Sequence, residues 1–354
     1  MNLAIWDIES SSASTDFGSI IEIGGILVDE NFKEKDRFNF RCRLPEGEIP
    51  QAMALIVNKT SVKQLTQGNL SHYQMLGEIE KIFKKWSPAI FLGWSNIGFD
   101  DEMIRKEFFK GIRYPYITNA SPNKRHDGIN IARAAYAVDT SVLETEINEK
   151  NNPVFKLESL SRMQGLDSSD AHSALTDATL TAKILSIIKK RQPSTWDMFL
   201  RTSNKLDTET IFKKEEIISL NEYFYGKSRL YLCAPLHPKH CIHPVYNWGQ
   251  AVDLRVDIEP ILKMWPKIQT ARIMGSAALG LSYVAAGRTD LYFHYQLQPW
   301  DQIAGILLID EAGGIVSDRS GNKIELFSKG IVAANKQIHT EFMAMSEGLD
   351  FRKT

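Results

Sequence analysis

The first half of the chain alternates between short apolar runs and segments with helical periodicity. Strands are predicted at 3–8, 20–28, 36–44 and 89–94. Helices are predicted at 73–86, 100–109, 129–138, 156–163 and 174–190. The first three strands are closely spaced, which suggests an antiparallel meander. Three strands, a helix, a strand and then helices indicate a mixed α/β domain that ends near Arg191, just before Pro193.

The second half of the chain changes character twice. Residues 217–258 are strand-like and aromatic, which indicates a small β module. Residues 265–345 are rich in glycine, alanine and apolar side chains, and they form a third region. We therefore predict domains at 1–192, 193–263 and 264–354, which fits the two or three domains expected from the length.

Composition narrows the class of protein only slightly. The 354 residues carry a formal net charge of -1, so the overall charge does not indicate a nucleic-acid-binding protein. A local stripe of basic residues would nevertheless be sufficient to bind a phosphate backbone. Three cysteines without CxxC spacing indicate reduced thiols, not a disulfide framework or a zinc site. No signal peptide and no apolar run of about 18 residues is present. We expect a soluble, cytoplasmic protein.

Asp7 and Glu9 are the first candidates for chemistry. Their spacing of two places both side chains on one face of the first strand. Two carboxylates this close repel each other unless a cation lies between them. They could instead be solvated acids on an exposed edge. The apolar flanks, with Leu3, Ile5 and Trp6, predict a buried strand, and this makes a divalent metal the better explanation.

Three further residues could join this pair. Asp100 follows the strand at 89–94 and could point into a cleft, or it could simply cap the next helix. His172 and Asp177 are five residues apart, so they cannot share a helical face unless His172 precedes the helix. A histidine in that position could also be an ordinary surface or packing residue.

The segments DIE (7–9), SNIGFDDE (95–102) and HSALTD (172–177) together resemble the DEDD exonuclease superfamily, in its histidine-bearing subgroup. Residues 1–260 more closely resemble the bacterial exonuclease I family, through RHDGINIARAAYAV, VFKLESLSRMQGL, APLHPKH and AVDL. The resemblance implies a ribonuclease H-like mixed-sheet domain followed by a small β-barrel-like module. It also implies removal of nucleotides from the 3′ end of single-stranded DNA, in DNA repair or recombination.

The chemistry that this resemblance implies is two-metal phosphodiester hydrolysis. Asp7, Glu9 and Asp177 would hold the first ion, Asp7 would bridge to the second, and Asp100 would support the second. His172 would act as general base on the attacking water. An oxygen-only ligand set fits Mg²⁺ or Mn²⁺ better than zinc.

Contacts with single-stranded DNA would need stacking aromatics and a basic groove. Candidates are Trp94, Arg125, Arg133 and Lys156, although each could equally be a core aromatic or a solvated charge. Two departures from the family pattern affect this expectation. The segment IVNKT (56–60) has a lysine where the family often has a glycine before the threonine, near the pocket for the 3′ end. The family's helical C-terminal domain is also not found in the sequence.

Residues 271–335 resemble the C-terminal half of inositol monophosphatase-like phosphatases, through GSAALGLSYVAAGRTD, PWDQIAG and LIDEAGGIVSDRSG. In that family the position of Asp301 is a metal ligand, whereas without the resemblance Asp301 would be a helix-capping residue. His294 stands where inositol-specific members tend to carry an acid. The family's upstream acidic motifs are missing, so we expect an α/β half-domain without phosphatase activity, which could serve self-association or bind a protein partner.

Three functions are compatible with these features. A 3′-to-5′ exonuclease acting on single-stranded DNA is favoured, because five catalytic positions occur in the family's order. An inositol monophosphatase-like phosphomonoesterase is the alternative, supported only by the last part of the chain. A non-enzymatic scaffold is disfavoured, because an unused site has no physical reason to keep four mutually repelling acids together.

Overall fold

The computed structural model describes residues 1–167, 173–203, 205–224, 226–236, 241–242, 249–255, 267 and 276–352. His172, one of the predicted catalytic residues, lies outside the described residues. The chain divides into two compact units, Met1–Arg255 and Val256–Thr354. Each unit is described by itself.

A five-stranded mixed sheet forms the centre of the first unit. Its strands are β1 (Asn2–Ser10), β2 (Ile20–Val28), β3 (Glu34–Arg41), β4 (Ala89–Leu92) and β5 (Lys124–Arg125), in the order β3-β2-β1-β4-β5. The first three strands are antiparallel, whereas β4 runs parallel to β1 and to β5. The predicted mixed α/β domain and its opening meander are confirmed. The third strand ends at Arg41, before its predicted end at residue 44.

Nine α-helices of this unit are described. They are α1 (Ala52–Val57), α2 (Val62–Gln67), α3 (His72–Trp86), α4 (Asp100–Lys110), α5 (Gly128–Val138), α6 (Leu157–Met163), α7 (Ala174–Arg191), α8 (Pro193–Arg201) and α9 (Lys205–Lys214). The short helices α1 and α2 were not predicted, because α1 buries none of its side chains and so lacks an amphipathic signature.

The alternation of β1 divides the core into two layers. Ala4, Trp6 and Ile8 pack with the apolar stripes of α3 and α4 on one face of the sheet. Leu3 and Ile5 pack with α5, α6 and α7 on the other face. Fully burying each large apolar side chain stabilises the fold by about 1.5–3 kcal/mol. Because side chains alternate along a strand, Asp7 and Glu9 belong to the face that α7 covers.

Gly24 allows α7 to lie directly on the sheet. It is paired with Asp7 across the β1–β2 ladder, and a Cβ atom at this position would lie 2.3 Å from the backbone nitrogen of Leu175. No real side chain can occupy that space. The absence of a side chain at Gly24 therefore sets how closely the first turn of α7 approaches β1.

The remainder of the first unit is a small antiparallel sheet in the order β6-β7-β8, formed by β6 (Ile218–Phe224), β7 (Lys227–Pro235) and β8 (Ala251–Asp253). It corresponds to the β module predicted from the aromatic segment. Among the residues that the structure describes, these strands do not close into a barrel. Across the described part of the chain, every helix is too short or insufficiently apolar to cross a membrane.

The second unit contains a three-stranded antiparallel sheet and three described helices. The elements are α10 (Ala277–Ala285), β9 (Leu291–His294), α11 (Pro299–Glu311), β10 (Ile315–Ser317), β11 (Ile331–Ala334) and α12 (Lys336–Met345), with strand order β10-β11-β9. Its small core includes Leu281, Ile309 and Ile331. On α11, Trp300, Ile303 and Leu307 share one face and are 76%, 55% and 61% exposed. An exposed apolar face of this kind is typical of a surface that binds a partner.

We expect Gly24→Ala to lower the free energy of unfolding of the first unit by about 1–3 kcal/mol, because the new methyl group forces α7 away from the sheet. Thermal unfolding followed by circular dichroism measures this effect. Gly98→Ala is the matched control, since a Cβ there would meet nothing within 4 Å. Equal melting temperatures for Gly24→Ala and the wild type would show that α7 does not depend on this close approach.

Candidate metal centre

Asp7 and Glu9 lie near the end of the central strand of the sheet. Both project from the face of β1 that α7 crosses, because they share the alternation of Leu3 and Ile5. β1 remains paired with β2 along this stretch, and Asp7 and Glu9 lie opposite Gly24 and Glu22. The backbone under the two carboxylates is therefore fixed by a hydrogen-bonded ladder on that side.

Asp177 reaches the same place from the helix. It is the fourth residue of α7, and the contact at Gly24 brings the first turn of this helix against the sheet. Asp7, Glu9 and Asp177 can each direct one carboxylate oxygen so that all three oxygens lie within 4.8 Å of one another. Three carboxylate oxygens at this separation can surround one cation.

Asp100 approaches β1 from the edge that pairs with β4. It is the first residue of α4, and its Oδ1 accepts a hydrogen bond of 3.2 Å from the backbone N–H of Ile8. This N–H is available because the parallel pairing of β1 with β4 ends at Ile5 and Leu92. The residue at the N-cap of α4 is Phe99, so Asp100 is not the N-cap residue of that helix. Its carboxylate lies instead between the backbone positions of Asp7 and Glu9.

The acids strongly perturb one another. Burial raises the pKa of Asp7 well above its usual range, and the charges of Asp100, Asp177 and Glu9 raise it further. Burial, followed by the charge of Asp177, raises the pKa of Glu9 to about 8. Burial also raises the pKa of Asp100 to about 8. Without a cation, several of these carboxylates would hold protons at neutral pH.

The donor set fits a divalent metal ion. Carboxylate oxygens are the ligands of hard cations such as Mg²⁺, Mn²⁺ and Ca²⁺, and the cluster offers neither a thiolate nor, among the described residues, an imidazole. A divalent cation would also offset the repulsion between the acids, which adds to the effect of burial on the pKa values of Asp7 and Glu9. The roles predicted for Asp7, Glu9, Asp100 and Asp177 stay predictions, and the structure brings all four to one end of β1.

Glu22 is a nearby acid that the sequence analysis missed. It lies opposite Glu9 on β2, and Arg41 lies opposite Glu22 on β3. The Arg41 guanidinium donates a hydrogen bond to the Glu22 carboxylate, and Glu22 is only 2% exposed. A lone glutamate in the apolar run IIEIGGILV carries no motif, and only the strand register reveals its position.

The four candidate DNA-contacting residues have different surroundings. Trp94 packs against the core, and its Nε1–H donates to the carbonyl oxygen of Phe155. Arg125 pairs with the buried Asp101 at 3.4 Å. Arg133 lies over the ring of Tyr223, 3.6 Å from the ring centre. Lys156 is exposed. Structural contacts account for the first three, so Lys156 is the candidate most accessible to a ligand.

The segment at 56–60 is attached to the end of β1. The side-chain amide of Asn58 donates to the carbonyl oxygen of Ser10, and Arg41 donates to Thr60 Oγ1 at 3.4 Å. Lys59 has a φ of 52°, a left-handed conformation that favours glycine. The backbone at Lys59 thus has a conformation that glycine adopts most easily, although a lysine occupies the position.

Asp301 in the second unit is a helix-capping residue. It lies in the first turn of α11, and its Oδ2 accepts a hydrogen bond of 3.0 Å from the backbone N–H of Gln298, the N-cap residue of that helix. His294 is exposed at the end of β9. Within the described ranges, no group of three or more acids, histidines or cysteines in this unit could hold a metal.

Two family models match different parts of the chain. The model described as Exonuclease matches residues 5–185, just over half of the chain. The model described as Inositol monophosphatase family matches residues 242–349. Both resemblances predicted from the sequence motifs are confirmed.

Individual relatives agree with this division. Exodeoxyribonuclease I of Buchnera aphidicola subsp. Schizaphis graminum is 24% identical over 283 residues, which cover 77% of this chain and 57% of that relative. A fructose-1,6-bisphosphatase/inositol-1-monophosphatase of Thermotoga maritima is 43% identical over 81 residues, covering 23% of this chain and 32% of that protein. The chain therefore spans less than two thirds of the length of either relative.

A solved structure, the zinc-bound form of an Escherichia coli exonuclease I complex with single-stranded DNA, has a TM-score of 0.62. The sequence identity is 23%, and the match covers 77% of this chain and 59% of that one. At this identity the likeness shows the fold alone. It confirms the predicted ribonuclease H-like fold of the N-terminal domain.

The stability of the metal-free protein should fall as the pH rises from about 5 to about 8. In this range Glu9 keeps its proton in the folded state, because its pKa there is raised to about 8, whereas it ionises freely in the unfolded chain. A divalent cation at about 100 times the Kd that it has at pH 8 should then raise the melting temperature by about 5–10 °C at pH 8, and the same concentration should raise it by much less at pH 6.

Scanning calorimetry with and without MnCl₂ at the two pH values measures this difference. Glu9→Gln removes one repelling charge, so the metal-free variant should be more stable than the wild type at pH 8 and respond less to Mn²⁺. A metal response that is independent of pH and unchanged in Glu9→Gln would contradict the assignment of the cluster as a cation site.

Proposed function

The chain belongs to the exonuclease family, and from this premise we propose that it removes nucleotides from the 3′ end of single-stranded DNA. The observation that carries the proposal is the convergence of Asp7, Glu9 and Asp177 at the end of the central strand. Their positions lie within the part of the chain that matches the exonuclease model. The choice of DNA as substrate is supported by the names of the exodeoxyribonuclease relatives. A role in DNA repair or recombination would follow from that substrate, whereas the cytoplasmic location, predicted from the reduced thiols, stays a prediction.

We assign the cation as Mg²⁺, with Mn²⁺ as a substitute, and propose two ions. Asp7, Glu9 and Asp177 would hold the first, and Asp7 and Asp100 would support the second. When bound, the ions would make the attacking water more acidic and offset the charge on the attacking and leaving oxygens. The raised pKa values of Asp7 and Glu9 support this assignment, because burial raises both and the charges of the neighbouring acids, Asp100 and Asp177 among them, raise both further.

The reaction would be an in-line hydrolysis of the terminal phosphodiester. The oxygen of water bonds to phosphorus, and the bond between phosphorus and the O3′ atom of the penultimate nucleotide breaks. His172 would accept the proton from water through a ring nitrogen. The products are a nucleoside 5′-monophosphate and a strand shortened by one nucleotide, whose O3′ takes up a proton.

We assign recognition of the 3′ terminus to residues 52–60, the segment that is attached to the end of β1. Asn58 anchors this segment to Ser10, one residue beyond Glu9. Met53 and Ile56, three residues apart on α1, are each 67% exposed and offer an apolar surface. A terminal base can pack on such a surface in any sequence context, because every base has an apolar face.

The role of the C-terminal fragment stays a prediction, as do the domain boundaries at 192/193 and 263/264. Phosphomonoester hydrolysis is disfavoured because Asp301 caps α11 and, in the part of this unit that the structure describes, no acidic cluster accompanies it. The exposed apolar face of α11 is consistent with the predicted self-association or binding of a protein partner.

A single-stranded oligonucleotide labelled on its 3′-terminal phosphodiester should release labelled nucleoside 5′-monophosphate in the presence of MgCl₂. Asp7→Asn should lower the rate by at least about 10³-fold, because it removes a shared ligand of both ions. Asp197→Asn, an exposed acid on α8, is the matched control and should retain the wild-type rate.

Product chromatography separates the candidate functions. Release of inorganic phosphate from a sugar phosphate, without mononucleotide from DNA, would favour the phosphatase alternative. Binding of DNA without any cleavage by the folded wild-type protein would favour a scaffold and contradict the proposed exonuclease.

A further inference from the structure

Glu22 has no part in the proposed metal ligation, yet it is a buried acid beside it. It is 2% exposed and lies opposite Glu9 in the β1–β2 ladder. Leaving a carboxylate in such a place is costly unless both of its oxygens are satisfied. Its contacts therefore indicate what it does.

The two carboxylate oxygens of Glu22 connect two separate elements. Oε2 accepts a hydrogen bond from the guanidinium of Arg41 on β3. Oε1 accepts a hydrogen bond of 3.3 Å from the hydroxyl of Ser173. Glu22, Arg41 and Ser173, which we call the Glu22 network, thus connect the sheet to the residue that immediately precedes α7.

Ser173 occupies the N-cap position of α7 but does not cap it. Its side chain makes no capping hydrogen bond to the helix, although serine is among the favoured N-cap residues. The hydroxyl is directed instead to Glu22. Because this hydroxyl bonds to the sheet instead of to the helix, the position of the start of α7 depends on the sheet. Asp177 follows four residues later, and His172 is the residue before Ser173 in the sequence.

The network also extends away from the acids. Arg41 donates to Thr60 Oγ1 at 3.4 Å, and Thr60 donates in turn to the carbonyl oxygen of Asn58. Arg41 therefore touches both Glu22 and the segment to which we assign the 3′ terminus. Because an arginine lies on one oxygen and a serine on the other, Glu22 is poorly placed to serve as a further metal ligand.

We propose that Glu22 is a positioning residue, which fixes the start of α7 against the sheet so that Asp177 meets Asp7 and Glu9 around one cation. Arg41 keeps the Glu22 carboxylate in place, and Ser173 transmits its position to the helix. The inference rests on the proposed function, since it requires that the three acids hold a metal ion. Partners that orient ligands in this way typically contribute 10–100-fold to metal affinity.

The test is the Mn²⁺ dissociation constant, measured by electron paramagnetic resonance on folded protein without DNA. Glu22→Gln keeps the size of the side chain but removes the ion pair with Arg41, and it should weaken Mn²⁺ binding by about 10–100-fold. Glu34→Gln is the matched control, because it breaks another glutamate–arginine pair of the same sheet, with Arg37. It should bind Mn²⁺ like the wild type.

The variant Ser173→Ala distinguishes a positioning role of Glu22 from an effect of its negative charge alone. It retains every carboxylate and removes only a hydroxyl that does not cap α7, so it should fold normally. If Glu22 acts by positioning, this variant should weaken Mn²⁺ binding by about fivefold, the effect of one ordinary hydrogen bond. Melting temperatures recorded in parallel show that each variant is folded.

Wild-type affinity in Ser173→Ala, with weak binding in Glu22→Gln, would show that Glu22 contributes charge alone and would overturn the positioning role. Wild-type affinity in both variants would overturn it as well and would leave the proposed exonuclease intact. If the wild-type protein itself binds no Mn²⁺, the metal site and the role of Glu22 fall together.

Discussion

The repulsion between carboxylates at the end of β1 is the constraint on which the functional part of this structure depends. Asp7, Glu9, Asp100 and Asp177 come from one strand and two helices, and burial raises the pKa of the first three. The apolar layers on both faces of the sheet hold the supporting elements in place, so the acids cannot separate to relieve their repulsion. A divalent cation is the simplest way to offset it.

Much of this arrangement could be predicted from the sequence. The spacing of Asp7 and Glu9 places them on one face of a strand, and the helical period of residues 174–190 places Asp177 near the start of a helix. The position of Glu22 could not be predicted, because it depends on the register between β1, β2 and β3. The hydrogen bond from Ile8 to Asp100 could not be foreseen either, since it requires that the pairing of β1 with β4 stops at Ile5.

The two units differ in whether their sequence motifs assemble into a metal site. In the first unit, three separated segments converge at one end of a sheet because the strand order and the close contact at Gly24 bring them together. In the second unit, the motif around Asp301 forms the helix start that its local sequence favours, and the carboxylate accepts a hydrogen bond from the backbone N–H of the N-cap residue, Gln298. A motif retains its local structure without its partners, whereas a metal site needs ligands from several elements.

Anomalous diffraction from crystals grown with Mn²⁺ tests the central claim most directly, because it locates the cation without relying on activity. The account predicts a strong peak about 2.1 Å from carboxylate oxygens of Asp7, Glu9 and Asp177, and a second peak near Asp100 when a strand is bound. Crystals of the intact protein, soaked in Mn²⁺ at pH 8, that show no peak among these acids would contradict it.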